Sequence, residues 1–423
     1  MRKGNVMIWS ITKKEILENV ISYRFYVLTG LLALLMLVAV LVGYGDFLLR
    51  LENYEILRPA PNSPNIILES TPMSILAKGL EANLTRLYEV SILGIQIREN
   101  QQSVNRIFSL FAVPDILFII KVVLALVAVL FSFDAITHEK EQGTLKLTLS
   151  NGIRRPSLVV GKLVGRFLLV FVPFTALFLL ALLAISLLPS VAVTGSFWWK
   201  NLIILLAACV YTLLFTGIGM FVSSIVHRSS TSMVVSLFIW LLFVFIIPNF
   251  GTVLAKSLTP VPTSDRIEME GRLSTIQAIY DRIQREKEEP RGTEGRRMIQ
   301  QLRESTTRLI ELYRPKMNAL MRTTKSLVRI SPSGALNFLL TDIADTGMYE
   351  EVRAKDAIAQ YVDRNFNRIN QLEPGPIDVF RYTRASMGEV FSETGYVDVA
   401  VILFFTAIFI TAAYVRFLIY DPR

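Results

Sequence analysis

The sequence predicts an all-α polytopic membrane protein with six transmembrane helices, a small mixed α/β extracytoplasmic domain and a larger helical-hairpin extracytoplasmic domain. Three observations predict it. Of 423 residues, 52% are hydrophobic, and the mean hydropathy is +0.47, more apolar side chain than a water-soluble globule of this size normally hides. The apolar residues gather in blocks of about 20, the length at which a helix rising about 1.5 Å per residue crosses a roughly 30 Å hydrocarbon core. Basic residues gather in the short segments between alternate blocks.

Residues 1–24 precede the first block. Val6, Trp9, Ile16, Leu17, Val20 and Ile21 fall close to one helical face, with Lys13, Lys14, Glu15 and Glu18 mostly on the other, as in a helix lying in the cytoplasmic interface. The first span is 25–44, and its end, Gly43-Tyr44-Gly45-Asp46, lacks the cleavage site of a signal peptide. Residues 45–113 form the first extracytoplasmic domain, with Pro59, Pro61 and Pro64, a strand-like Asn65 to Glu69, and a helix expected from Ser74 to Glu89. The second span is 114–133, the cytoplasmic segment 134–162, the third span 163–188, a short outer loop 189–201, and the fourth span 202–226. A short cytoplasmic loop, 227–232, leads to the fifth span, 233–250; the second extracytoplasmic domain covers 251–396, the sixth span 397–417 and a cytoplasmic tail 418–423.

Within 251–396, Met269, Leu273, Ile276, Tyr280 and Ile283 repeat at alternating four and three spacing, a heptad seam. After the breaker Pro290-Arg291-Gly292, Met298, Leu302, Leu309, Tyr313, Leu320 and Leu327 continue the pattern, with Pro315 expected to kink it. The pair reads as an antiparallel hairpin. A third amphipathic stretch, Tyr349 to Leu372, packs either on that hairpin or on a partner subunit.

Charge sets the orientation. Residues 1–24, the loop 134–166, the turn at Arg228 and the tail from Arg416 hold about 14 basic and about 6 acidic residues, roughly +8 of the formal +9. These belong in the cytoplasm, so both termini are expected there, in a multi-pass protein of the cell (plasma) membrane. Trp198 and Trp199 suit the opposite headgroup interface. The basic balance is thus topology, and nucleic acid is not among the expected partners.

Few groups suggest catalysis. Cys209, the sole cysteine, lies in the fourth span, so no intrachain disulfide is possible. Both histidines, His138 and His227, fall on the cytoplasmic side, and neither a metal site nor an outward hydrolase is expected. Pro156-Ser-Leu-Val-Val-Gly161-Lys162-Leu163 has Pro where a phosphate loop needs its first Gly and Leu where it needs Ser or Thr. Gly161 and Gly165 have the spacing of a close helix contact. Pro173, Gly217 and Gly219 either mark bends or are ordinarily tolerated. Lys121, inside the second span, is costly; it either snorkels outward towards Asp115 or stands on a translocation path or subunit interface.

The informative stretch is the cytoplasmic segment, with Asp134 to Gln142 extending the second span as a charged helix ended by Gly143. Leu145, Leu147 and Leu149 alternate, and strand or helix stays open for so short a run. Glu139, Glu141, Gly143, Thr144, Leu145, Arg154, Arg155 and Lys162 together resemble the Glu-x-Glu-x-Gly-Thr-Leu element, basic pair and following Lys of ABC-2 type ABC transporter permeases. Pro114-Asp115, Phe131-Ser-Phe-Asp134 and Ile330-Ser-Pro332 echo the larger variety with two big extracytoplasmic loops. The resemblance implies a permease subunit that is no enzyme, in which His138, Glu139, Lys140, Glu141, Gly143, Thr144, Arg154 and Arg155 contact a cytoplasmic ABC ATPase. It implies no cofactor in this chain, ATP and Mg being bound by the partner ATPase, and a second copy of the chain or a paralogous permease as a further partner, beside membrane lipid. A second reading keeps the ATP-driven movement but delivers it to an extracytoplasmic protein without substrate transport.

Overall fold

The computed structural model describes residues 2–57, 65–91, 94–98, 114–150, 153–261, 314–369 and 375–420, with positions 273, 276, 280 and 312. Among the described residues, six helices are long and apolar enough to cross a membrane: Tyr23–Leu57, Ile116–Glu141, Arg155–Ser186, Gly195–Ile225, Ser229–Leu258 and Tyr396–Ile419. They are the first to sixth spans, and each runs past the apolar block that predicts it. The first continues because Arg50, on its last turns, donates to Asp46 and Ser70 at 3.2 Å and to Ser74 at 3.1 Å.

The fourth span is the axis of the bundle. Its Tyr211, Leu214, Phe215 and Ile218 are fully buried, and it packs on the second, third, fifth and sixth spans. Gly217 and Gly219 make no bend in the unbroken helix Gly195–Ile225; they are contact points. A Cβ at Gly217 would meet Ile410 of the sixth span at 3.1 Å, and one at Gly219 would lie 1.9 Å from Ser132 Oγ of the second. The third span likewise runs unbroken through Pro173. Large apolar side chains on the first, fifth and sixth spans, among them Leu34, Leu41, Val234, Phe238 and Phe404, point away from the bundle, as hydrocarbon-facing surface should.

One helix of the 251–396 segment enters this core. Pro332–Ile343 starts at Ser331, whose side chain accepts from Ser333 N, and it buries Ala335, Leu336, Leu339, Leu340 and Ile343 in the apolar cluster that the spans share. The Ser331 hydroxyl also bonds the Phe243 carbonyl, in the π-helical turn Leu242–Ile246 of the fifth span. Ion pairs brace this end of the bundle: Lys200 with Asp345, Lys325 with Asp342 at 3.0 Å, Arg329 with Asp398 at 2.6 Å and Arg384 with Glu81 at 3.0 Å.

The 45–113 segment departs from expectation. Instead of one helix from Ser74 to Glu89, a 3-10 turn, Pro72–Ile75, and a helical turn, Glu81–Leu84, precede strand β1, Leu87–Ser91, which pairs antiparallel with β2, Gly94–Arg98. Gly79 breaks the run: its φ is +45, and a Cβ there would lie 2.4 Å from the Thr346 carbonyl, so the chain turns in left-handed backbone and bonds Leu80 N to that carbonyl at 2.7 Å. The strand-like Asn65 to Glu69 contributes a single bridge, Ile66 to Tyr88. Helix Met348–Ile369 packs Ile358 and Tyr361 on Ile66 and Tyr88, so its apolar face covers this strand layer. Leu273, Ile276 and Tyr280 are helical and exposed; the remainder of the expected hairpin up to 311, and residue 313, lie outside the described residues, while 314–328 is helical.

Gly219→Val gives a direct check on the axis: overpacking against Ser132 should cost about 1–3 kcal/mol, read as a lowered melting temperature of the detergent-solubilised chain, while Gly45→Ala, with nothing within 4 Å of the added Cβ, should leave it unchanged.

Candidate functional site at the charged end of the bundle

The second span loosens as it leaves the apolar block. Residues 133–136 form turns, and the amides they release at Ile136 and Thr137 donate to Ser223 Oγ of the fourth span at 2.9 and 3.0 Å. The helical turn Thr137–Glu141 follows, then Gly143 with φ +71, the left-handed stop that glycine allows. Next comes a short helix, Thr144–Ser150. Leu145 and Leu149, four apart, face the protein, and Leu147 is left 65% exposed between them; the alternating leucines are thus a helix with one apolar side chain pointing outward.

Beneath this turn lies a buried ion cluster. Lys162 Nζ donates to Glu15 at 2.7 Å and to Glu139 at 2.9 Å. Arg166, one turn on, donates to Glu15 at 2.9 Å, Asn19 at 2.7 Å and the Phe131 carbonyl at 2.9 Å, and lies 3.4 Å from Asp134. Arg24 completes it, 3.2 Å from Asp134. Glu15 belongs to the N-terminal helix, Arg2–Val20, so the cluster binds that helix to the second and third spans. Small residues make the approach possible: a Cβ at Gly161 would meet Ile11 at 2.8 Å, one at Gly165 would meet Glu15 Cβ at 2.8 Å, and Thr12 donates to the Gly161 carbonyl at 3.1 Å. The helix presents Thr12, Glu15 and Asn19 to the protein and leaves Trp9 and Leu17 exposed, with Ile21 exposed just past its end. Burial pushes the Glu15 carboxyl up, but Lys162 and Arg166 outweigh it and hold the group below the usual carboxylate range. Its contribution to stability is present above the ordinary carboxylate pKa and disappears as pH falls through the lower, folded value.

The expected contact residues divide into two sets. Glu139 turns inward to Lys162. Lys140 donates to the Ser223, Ser224 and Val226 carbonyls at 3.2, 2.6 and 3.1 Å and sits 4.9 Å from the Tyr420 ring centre, a cation on the carbonyl end of the fourth span. Glu141 accepts from the Ser229 amide at 2.9 Å and hydroxyl at 2.6 Å at the start of the fifth. Arg155 donates to the Leu418 carbonyl at 2.7 Å at the end of the sixth. Thr144 is half-buried, its hydroxyl 3.4 Å from the Glu139 carbonyl. His138, Gly143 and Arg154 lie on the surface, as do Lys146 and Leu147; the turn at 151–152 is outside the described residues. Sequence reasoning missed Glu15 and Leu147. The polar stripe Thr12, Glu15, Asn19 at helical spacing was the available signal for the first, and the odd member of the leucine series for the second.

Asp115 and Lys121 sit at the opposite end of the second span and do not join this cluster. Asp115 caps the span, accepting from Phe118 N at 2.8 Å and Lys78 N at 3.0 Å. Lys121 donates to Asn337 Oδ1 at 3.4 Å.

The family model described as "ABC-2 family transporter protein" matches residues 9–421. A protein of Stutzerimonas stutzeri described as "Probable ABC transporter permease protein NosY" is 31% identical over 121 residues, 29% of this chain and 44% of that protein; the match thus spans under half of the relative's length.

Glu15→Gln leaves Lys162 and Arg166 under-compensated and should destabilise the chain by about 3–5 kcal/mol, read as a lower melting temperature; adding Lys162→Met should recover a substantial part of the loss. In wild type, acidification should release the N-terminal helix before the bundle melts, measured as proteolysis near residue 20 rising as pH falls below the carboxylate range.

Proposed function

Because the chain belongs to the ABC-2 transporter family, we propose that it is the membrane-spanning permease subunit that couples ATP hydrolysis by separate cytoplasmic ATPase subunits to export or translocation of a substrate. The observation that carries this reading is the build of the 134–155 turn. Its charged side chains are tied to the ends of the third, fourth, fifth and sixth spans, while its tip offers His138, Lys146, Leu147 and Arg154 to a partner. A protruding apolar residue with basic neighbours is what a groove on another protein can grip. Pressure on Leu147 would pass to the span ends through the bonds of Glu139, Lys140, Glu141 and Arg155, and a rigid-body movement of the ATPases would become a movement of helices.

In this reading ATP and Mg are held by the partner ATPase, and the chain's own part is mechanical. Two permease subunits, identical or paralogous, flank the path, with both termini and the charged turn in the cytoplasm; the concentration of basic residues at this end supports that orientation. Residues 45–113 and 251–396 then lie outside, where the ion-paired helix Pro332–Ile343 closes the far end of each bundle.

Leu147→Asp should weaken association with the cognate ATPase by at least about tenfold, measured by co-purification and by ATP hydrolysis of the reconstituted complex, with the melting temperature of the isolated chain unchanged. Full association of the Leu147→Asp chain would contradict the proposed contact. A cysteine at Lys146, in a Cys209→Ser background, should react with an impermeant thiol reagent only in inside-out vesicles.

A further inference from the structure

Lys121 has an environment that the permease reading does not use. It lies in the π-helical turn Ile119–Leu124 of the second span, about 9 Å past the Asp115 cap at about 1.5 Å per residue, at a depth where a cation held by no direct ion pair is costly. Other cations at this end are matched by carboxylates: Arg50 by Asp46, Lys200 by Asp345, Arg384 by Glu81. Among the described residues no carboxylate lies within 4.0 Å of Lys121; its recorded bond is to the neutral Asn337 at 3.4 Å. Asp115 is near enough to act on Lys121 as a counter-charge, but its oxygens are turned to two backbone amides and it forms no ion pair with the lysine.

Three features define its surroundings. The backbone is fixed, because buried Tyr211 donates its hydroxyl to the Lys121 carbonyl at 3.0 Å, taking a group that the wide turn frees; wide turns of this kind recur at functional sites. Asn337 accepts from Lys121 through Oδ1, so its amide nitrogen stays available to donate, and ammonium and amide stand side by side as donors. Lys121 and Asn337 are both half-buried, and Phe118, one turn before Lys121, is 37% exposed, an apolar edge beside the donors.

We propose that Lys121 and Asn337 bind the oxyanion headgroup of an anionic amphiphile arriving from the bilayer, which makes such amphiphiles the substrate class of the permease. The cargo assignment rests on the permease reading; the binding site does not, and it is tested on the chain alone. Native mass spectrometry of the full chain in neutral detergent, titrated with phosphatidylglycerol, should give a saturable adduct. Its affinity should fall about tenfold in Lys121→Gln, the loss expected for one charge-assisted contact, fall less in Asn337→Leu, and be kept in Lys121→Arg and in Lys256→Gln, which alters an exposed lysine elsewhere. Equal binding by wild type and Lys121→Gln, or equal competition by phosphatidylcholine, overturns the site; displacement by inorganic phosphate at the same concentration overturns its assignment to a lipid-borne headgroup. In the complex with its ATPase, phosphatidylglycerol should stimulate hydrolysis several-fold over phosphatidylcholine alone. Binding without stimulation, in a complex that does hydrolyse ATP, retains the site but overturns the cargo assignment, whereas a chain that binds the lipid and never engages an ATPase overturns the permease reading and leaves the site standing.

Discussion

The organisation of this molecule depends on one constraint: Lys162 and Arg166 are buried one helical turn apart, and burying two cations is costly without carboxylates around them. Removing two cations from water costs several kcal/mol each unless hydrogen bonds and counter-charges are arranged around them. Here Glu15, Glu139 and Asp134 meet that need, with Asn19 and the Phe131 carbonyl taking remaining donors. Since these groups come from the N-terminal helix, the end of the second span and the start of the third, satisfying the charges assembles the three elements. Hydrophobic burial alone would leave their register soft; ion pairs at 2.7 and 2.9 Å do not.

The same need explains why a segment whose charged residues were expected to contact a partner ATPase is mostly committed inward. In the Glu-x-Glu element, the first carboxylate neutralises a buried lysine and the second caps the fifth span, with the lysine between them closing the carbonyl end of the fourth. What remains outside is small: a helix of under two turns with Leu147 at its tip. A lever works best when it is stiff where it joins the load and sticky only where it is pushed.

Much of this was legible in the sequence, and for physical reasons. Apolar blocks announced all six spans because lipid imposes a length and a polarity on any helix that crosses it. Gly161 and Gly165 announced a close approach, though not the helix that makes it. Segment 45–113 was misread because the break at Gly79 follows from the Thr346 carbonyl, a tertiary neighbour that local periodicity cannot foresee. Gly217 and Gly219 were read either as bends or as ordinarily tolerated glycines, whereas the structure uses their missing side chains for packing. Helix Pro332–Ile343 was hidden for a similar reason: Ile330-Ser-Pro332 looked like a weak echo until Ser331 was found bonded to the fifth span. Partners of Lys162 lie 147 and 23 residues away in the chain, beyond the reach of spacing arguments.

The central claim is that the N-terminal helix and the charged turn move as one body because the Lys162–Arg166 cluster joins them. Spin labels at Lys13 on the exposed face of the N-terminal helix and at Lys146 on the tip helix would measure it by pulsed electron resonance, in the complete complex with and without trapped nucleotide. The account predicts the same distance distribution in both states while labels at opposite ends of the spans shift. A change between Lys13 and Lys146 comparable to that shift would contradict it.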